Sequence, residues 1–156
     1  MKTRRTLLAV LLCATTFGAW SGSSSAGADA TLAVIVNKAN PTSVLEASEL
    51  RPIFQTTKTS LAGGRDVTPL NLPSESKLRQ DFDQAVLGLD PDRAARYWKD
   101  RKIRGGARAP KQLPSTAAVL AAVAADPNAI GYVSLGEVSR AVKVVAKISA
   151  GKLVPP

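Results

Sequence analysis

The residues best suited to chemistry lie in two short stretches. The first is Asn71-Leu72-Pro73-Ser74-Glu75-Ser76-Lys77, followed by Arg79. Proline and serines between an apolar run and a helical pattern mark a strand-to-helix corner. Free amides at a helix start point outward with partial positive charge, so an oxyanion can dock there. Ser74 and Ser76 add hydroxyl donors, and Lys77 and Arg79 add charge. The plainer reading is that Ser76 is a helix cap and the remainder a solvated loop. The second stretch is Arg101-Lys102-Ile103-Arg104-Gly105-Gly106-Ala107-Arg108. Glycines let a backbone wrap an anion, and arginine binds phosphate or carboxylate bidentately. Arg104 and Arg108 are the contact candidates, against a basic loop that serves only solubility.

Other chemistry is limited by composition. The chain has no histidine, and its one cysteine is Cys13. If the N-terminal segment is removed, disulfides, Cys/His zinc sites and thiol or imidazole catalysis go with it. No constellation of carboxylates, lysine and serine suggests an enzyme. Asp81 and Asp83 are read as lying on the polar side of a helix and do not form a catalytic pair. Gly63-Gly64 reads as a turn, since no Gly-Lys-Ser/Thr follows it. No cofactor is expected.

The first thirty residues carry the marks of an export signal and linker. Lys2, Arg4 and Arg5 precede the apolar run Leu7 to Ala14, which is too short to span a bilayer. Small-x-small sites follow at Ala26-Gly27-Ala28 and Ala28-Asp29-Ala30, placing cleavage near Ala28 or Ala30. The Arg4-Arg5 pair permits twin-arginine export, and Sec export fits as well. Leu12 before Cys13 does not suit a lipobox. These features predict a periplasmic or secreted protein, not integral to the membrane after cleavage.

Charge is concentrated. Of the 21 basic and 12 acidic residues, three and one precede Thr31, leaving a net charge of +7 from there onward. Arg93 to Lys111 contains eight basic residues and one acid, Asp100, so this segment alone carries +7. Such a local field calls for an anionic partner near one surface. Anionic lipid or envelope polymer suits an exported protein better than specific nucleic acid.

The elements that must position these residues follow from periodicity. Leu32-Ala33-Val34-Ile35-Val36 is a continuous apolar run, expected as a central strand. Leu45 to Phe54 suggests a short helix with Leu50, Ile53 and Phe54 inward, shortened or kinked by Pro52. Val67 to Leu72 is a second strand. Ser76 starts a helix with Leu78, Phe82, Ala85 and Val86 at helical spacing, and Gly88 stops it. Asp90-Pro91 opens another, through Tyr97-Trp98 to about Lys102. The adjacency of Tyr97 and Trp98 allows at most one to face the core fully. Gly105-Gly106 and Pro110 then break the chain.

Ser115-Thr116 starts an alanine-rich helix with Val119, Leu120 and Val123 on one face, and Asp126-Pro127 ends it. Ile130-Gly131-Tyr132-Val133 reads as a short buried strand, with a glycine where something approaches the backbone closely. Tyr132 either packs or lines a cleft. Val142 to Ile148 is expected to place Val142, Val144, Ala146 and Ile148 on one face and Lys143 and Lys147 on the other. Residues 31–150 form one domain and 151–156 a tail. Strands alternating with helices give an α/β fold with a mixed sheet flanked by helices.

The order of helix, Asp126-Pro127-Asn128-Ala129 and Ile130-Gly131-Tyr132-Val133 resembles the second lobe of periplasmic phosphate-binding proteins. It is still more similar to their short, single-lobe relatives, the phosphate ABC transporter substrate-binding proteins. The Tyr97-Trp98 pair, basic stretch, Gly105-Gly106 and Pro110 are similar to a loop of those relatives. The resemblance spans about Ala33 to Lys147 and implies a single lobe of a type 2 periplasmic-binding-protein fold. It places Ser76 on the family's phosphate-binding serine. Leu72, Ser74 and Lys77-Leu78 stand where the family carries an arginine, an acid and Gly-Thr.

The implied function is that of an exported, non-enzymatic solute-binding-like protein for phosphate or another small oxyanion, within a transport or sensing system. One lobe alone suggests that a second copy, a transporter or a sensor closes the site. The alternative is an envelope interaction protein that holds anionic lipid or polymer through Arg93–Lys111.

Overall fold

The computed structural model describes residues 31–61 and 64–156. The export signal and Gly63 of the expected turn lie outside the described residues. Strand β1 (Leu32–Asn37) is buried along its whole length. It sits between two strands formed much later in the chain, β4 (Ala129–Ser134) and β5 (Val142–Ser149), and pairs antiparallel with both. This is the central position that a continuous apolar run dictates.

Strand β2 (Thr68–Asn71) pairs parallel with β4 on one side and with the two-residue β3 (Lys111–Gln112) on the other. Strand β6 (Lys152–Val154) pairs antiparallel with β5. The sheet is therefore mixed, in the order β3-β2-β4-β1-β5-β6. Among the described residues four α-helices accompany it: α1 (Ala47–Phe54), α2 (Lys77–Phe82), α3 (Pro91–Ile103) and α4 (Thr116–Ala125).

Helix α4 is fixed to the sheet by a close approach. A Cβ added at Gly131 would lie 2.5 Å from Val119 Cγ1 and 3.5 Å from Val123 Cγ2. Glycine in β4 thus lets the helix backbone settle against the strand. The far end of α4 is held by Asn37 at the end of β1, whose Nδ2 donates to the carbonyls of Val123 at 3.0 Å and Ala124 at 2.8 Å. Ser115 caps the near end, its hydroxyl accepting from Ala118 N–H at 3.2 Å.

Helix α2 docks through aromatics. Phe82 stacks on Tyr132 with centroids 4.0 Å apart and meets Phe54 of α1 edge-on at 4.5 Å. Tyr132 is therefore a packing residue, 1% exposed. Its hydroxyl donates to Asn71 Oδ1 and accepts from Leu72 N–H at 3.3 Å. Burial pushes this phenol well above its usual range, and it stays neutral.

The sequence expectations need three corrections. The alternation in β5 fails in its middle: Val145 and Ala146 are both buried, and Val144 is only partly so. The pairing register with β1 shifts between Val34 and Ile35, so β5 carries an extra residue there. Such a bulge swaps the faces on either side of it. Second, residues read as a tail include β6, which follows a turn in which Ala150 and Gly151 both have positive φ.

Third, Asp83 is buried rather than on a polar face. It opens a π turn, Asp83–Leu87, that continues α2 to Gly88, where φ is +70°. Arg79, one turn earlier on the same face, neutralises it.

Gly131→Ala should destabilise the protein by about 1–3 kcal/mol, because the new methyl collides with α4. Urea denaturation measures this. In a Val119→Ala background the loss should be smaller than the sum of the two single effects, because the collision partner has gone.

Candidate functional site

The corner between β2 and α2 is built as the local sequence requires. Ser76 occupies the cap position with extended backbone, and its carbonyl accepts from Gln80 N–H at 3.1 Å. Its side chain makes no capping hydrogen bond. The hydroxyl that a capping serine normally commits to its own helix is thus available at the corner, beside first-turn amides that have no intrahelical acceptor. Ser74 is exposed and donates to Glu75 Oε1 at 3.2 Å. Lys77 is exposed and pairs with Asp81.

Arg79 has a different setting from these. Its Nε donates to Asp83 Oδ2 at 2.6 Å and its Nη1 to the Leu72 carbonyl at 3.0 Å. Both side chains of the pair are 6% exposed. Burial pushes the Asp83 carboxyl above its ordinary 3.8, and the Arg79 guanidinium beside it pulls the other way. The bonds of Arg79 bind the start of α2 to the end of β2.

The flank of α2 borders a cavity of about 230 Å³. Ser74, Arg79, Gln80 and Asp83 line it from one side, Trp98 of α3 and Gln112 of β3 from the others. A wider cleft of about 640 Å³ lies under the glycine-rich loop, lined by Lys102, Arg108 and the backbone from Gly105 to Ala109. The two spaces share Trp98 and Ala109 as a common wall. Among the sequence-derived candidates, Ser74 and Arg79 therefore face one cavity and Arg108 the next. Ser76, Lys77 and Arg104 line neither.

The basic segment is mostly solvated. Arg96, Lys99, Lys102, Arg104, Arg108 and Lys111 are exposed. Arg101 differs, because its Nη1 donates to the Gln55 carbonyl at 2.6 Å and to the Tyr97 hydroxyl at 2.8 Å. Its guanidinium carbon also lies 5.7 Å from the Tyr97 ring centroid and 5.8 Å from that of Trp98. Arg101 thus ties α3 to the end of α1. Tyr97 and Trp98 are both half-buried and meet edge-on at 4.9 Å.

Asp83, Trp98 and Gln112 are among the lining residues that sequence reasoning did not bring together. The Arg79–Asp83 spacing of four was a usable signal for a paired helix face. The convergence of α3 and β3 on that face had none. Among the described residues, no group of three His, Cys, Asp or Glu side chains could hold a metal ion. No helix among them is long and apolar enough to cross a membrane.

Comparison with known proteins gives the fold. No family model and no curated protein matches the chain. Among solved structures it is similar to an ABC-type phosphate transport receptor from Vibrio cholerae, with a TM-score of 0.59, 22% identity, and coverage of 76% of this chain and 47% of that one. It is also similar to a putative phosphate ABC transporter substrate-binding protein with bound phosphate from Clostridium perfringens. There the TM-score is 0.61 and identity 19%, over 81% of this chain and 48% of that one. A possible phosphate binding protein from Planctomyces limnophilus matches with a TM-score of 0.56 at 16% identity, over 76% and 42%. The chain spans under half the length of each of these proteins. It has the fold of a single lobe of a periplasmic binding protein.

Arg79→Ala should cost about 3–5 kcal/mol, because it leaves Asp83 buried without its counter-charge. Replacing both members with Met and Leu should cost less than that single change. Denaturation midpoints compare the two. The pH dependence has a defined sign. The folded state holds the Asp83 proton more tightly than the unfolded state, so the stability due to Asp83 falls as pH rises through the window above 3.8. The stability of wild type minus that of Asp83→Asn should decrease as pH rises through that window.

Proposed function

We propose that this chain is an exported, non-enzymatic solute-binding protein that takes phosphate or a related small oxyanion at the β2–α2 corner. The observation that carries the reading is Ser76, a helix-capping serine whose hydroxyl makes no cap bond. The lobe's likeness to phosphate transport receptors supports the same assignment. Ser76 and the first-turn amides supply neutral donors, while Ser74, Lys77 and Arg79 form the surroundings. Export is supported by the basic and apolar N-terminal pattern and by the small-residue cleavage sites.

Affinity of a single lobe is limited by water. Two-lobed receptors close around a ligand and exclude solvent, whereas an open corner leaves the anion hydrated and screened. Tight binding therefore requires a second copy, or a transporter or sensor subunit, to cover the corner.

Titration calorimetry should show phosphate binding in the millimolar range. Ser76→Ala should weaken it about tenfold, the size expected for loss of one charge-assisted hydrogen bond. The same substitution should leave stability within about 0.5 kcal/mol, because no cap bond is removed. No heat with millimolar phosphate, together with a monomer by light scattering, would sink the receptor reading.

A further inference from the structure

Helix α3 has two unlike faces. Ala94, Tyr97, Trp98 and Arg101 recur at helical spacing and are buried or half-buried. Opposite them, Arg96, Lys99 and Ile103 recur at spacings of three and four and are exposed. Ile103 is the last residue of the helix and is 73% exposed, the most exposed large apolar side chain among the described residues. A single exposed apolar residue is ordinary on a protein surface. Ile103, however, has Lys102 and Arg104 as chain neighbours and Lys99 one turn behind it, all exposed.

The loop after the helix completes this tip. Gly105, with φ +68°, turns the chain, and Gly106 N–H donates to the Arg101 carbonyl at 2.9 Å. A Cβ at Gly106 would lie 3.2 Å from that carbonyl oxygen, so glycine allows the return. The amides of Arg104 and Gly105 donate to the carbonyls of Asp100 at 3.0 Å and Lys102 at 3.3 Å. Carbonyls at the negative end of the helix dipole are thereby occupied by the chain's own amides, which lessens their repulsion of an anion. The returning loop also brings Arg108 to the cleft that Lys102 lines. Lys99, Lys102, Arg104 and Arg108 enter no salt bridge among the described residues. Asp100 is the one acid between Arg93 and Lys111.

Unpaired cations around a protruding apolar side chain fit a surface that is anionic outside and apolar just beneath. A bilayer with anionic headgroups has that layering. Lysine and arginine keep their charge among headgroups while their stems run along apolar surface. A soluble polyanion would match the cations and leave Ile103 without a role. We infer that the end of α3 and its glycine loop form a contact with an anionic bilayer surface. Ile103 enters the headgroup boundary, and Lys99, Lys102, Arg104 and Arg108 meet lipid phosphates. One apolar side chain with a few cations gives weak, reversible association. The contact is separate from the β2–α2 corner, so its failure leaves the oxyanion reading untouched.

The test uses the full-length chain carrying Leu8→Glu and Leu11→Glu, which interrupt the apolar run Leu7 to Ala14 so that it does not itself enter lipid. Sedimentation with vesicles compares phosphatidylcholine alone with phosphatidylcholine containing about one-third phosphatidylglycerol, at physiological ionic strength. Binding to the anionic vesicles should be at least about tenfold tighter, since each cation near such a surface contributes about fivefold. Lys102→Glu with Arg104→Glu should remove that preference, while the circular dichroism spectrum and urea midpoint stay unchanged. Ile103→Ser, which alters no charge, should weaken binding about fivefold for partial loss of apolar burial, and Ile103→Leu should restore it. Equal binding to both vesicle types overturns the inference, as does a preference that survives the charge reversal. Ile103→Ser binding as tightly as the parent also overturns it, and would mark the segment as an adhesive for any polyanion.

Discussion

The buried pair of Arg79 and Asp83 is the constraint on which the β2–α2 corner of this molecule depends. One guanidinium joins the carbonyl at the end of β2, through Leu72, to the first residue of the π turn. It thereby fixes the angle at which α2 leaves the sheet. That angle places Phe82 on Tyr132 and leaves Ser76 at the corner. Ion pairs of this kind are weak sources of net stability, because desolvation offsets most of the attraction. Their geometry is specific, however. An apolar pair of equal volume would hold α2 to the sheet without fixing where its first turn points.

The pair also separates two kinds of chemistry. Because Arg79 is neutralised, the corner is served by backbone amides and hydroxyls rather than by a strong local charge. A binding lobe with these residues relies on enclosure more than on charge for affinity. On the proposed reading, enclosure of the corner would set the strength of binding more than the corner itself.

Much of the fold was legible in the sequence because local signals agreed with one another. The apolar run Leu32–Val36 could only be central. Ser115, Asp90-Pro91 and Gly88 mark helix ends by mechanisms that do not depend on tertiary context. Gly131 announced a close approach, and α4 is what approaches. The β5 bulge was not legible, since Val142–Ile148 alternates cleanly on paper and the extra residue is imposed by the register of β1. Strand β6 was hidden for a similar reason: Lys152–Val154 has little strand character of its own and is recruited by pairing with β5. At the site, the positions of Ser74, Ser76 and Arg79 in a strand-to-helix corner could be read directly. The burial of Asp83 could not, because a lone aspartate is normally exposed and only its partner four residues earlier permits otherwise. The cavity depends on α3 and β3 meeting that face, which no local pattern encodes.

The distribution of positive charge gives the last constraint. The segment Arg93–Lys111 holds the net charge of the domain, yet its one half-buried cation, Arg101, serves packing. The remaining cations stand in solvent on α3, its following loop and β3, Arg93 beside Asp90, and at the corner itself Glu75 and Asp81 stand beside Lys77. Exposed charges lose most of their influence beyond a Debye length of about 8 Å at physiological ionic strength. On the proposed reading, the basic segment therefore acts on an oxyanion at the corner chiefly by raising its local concentration and its rate of arrival. Arrival and retention are then the work of different parts of the chain. Raising salt should slow the first while leaving the second to the neutral donors of the corner.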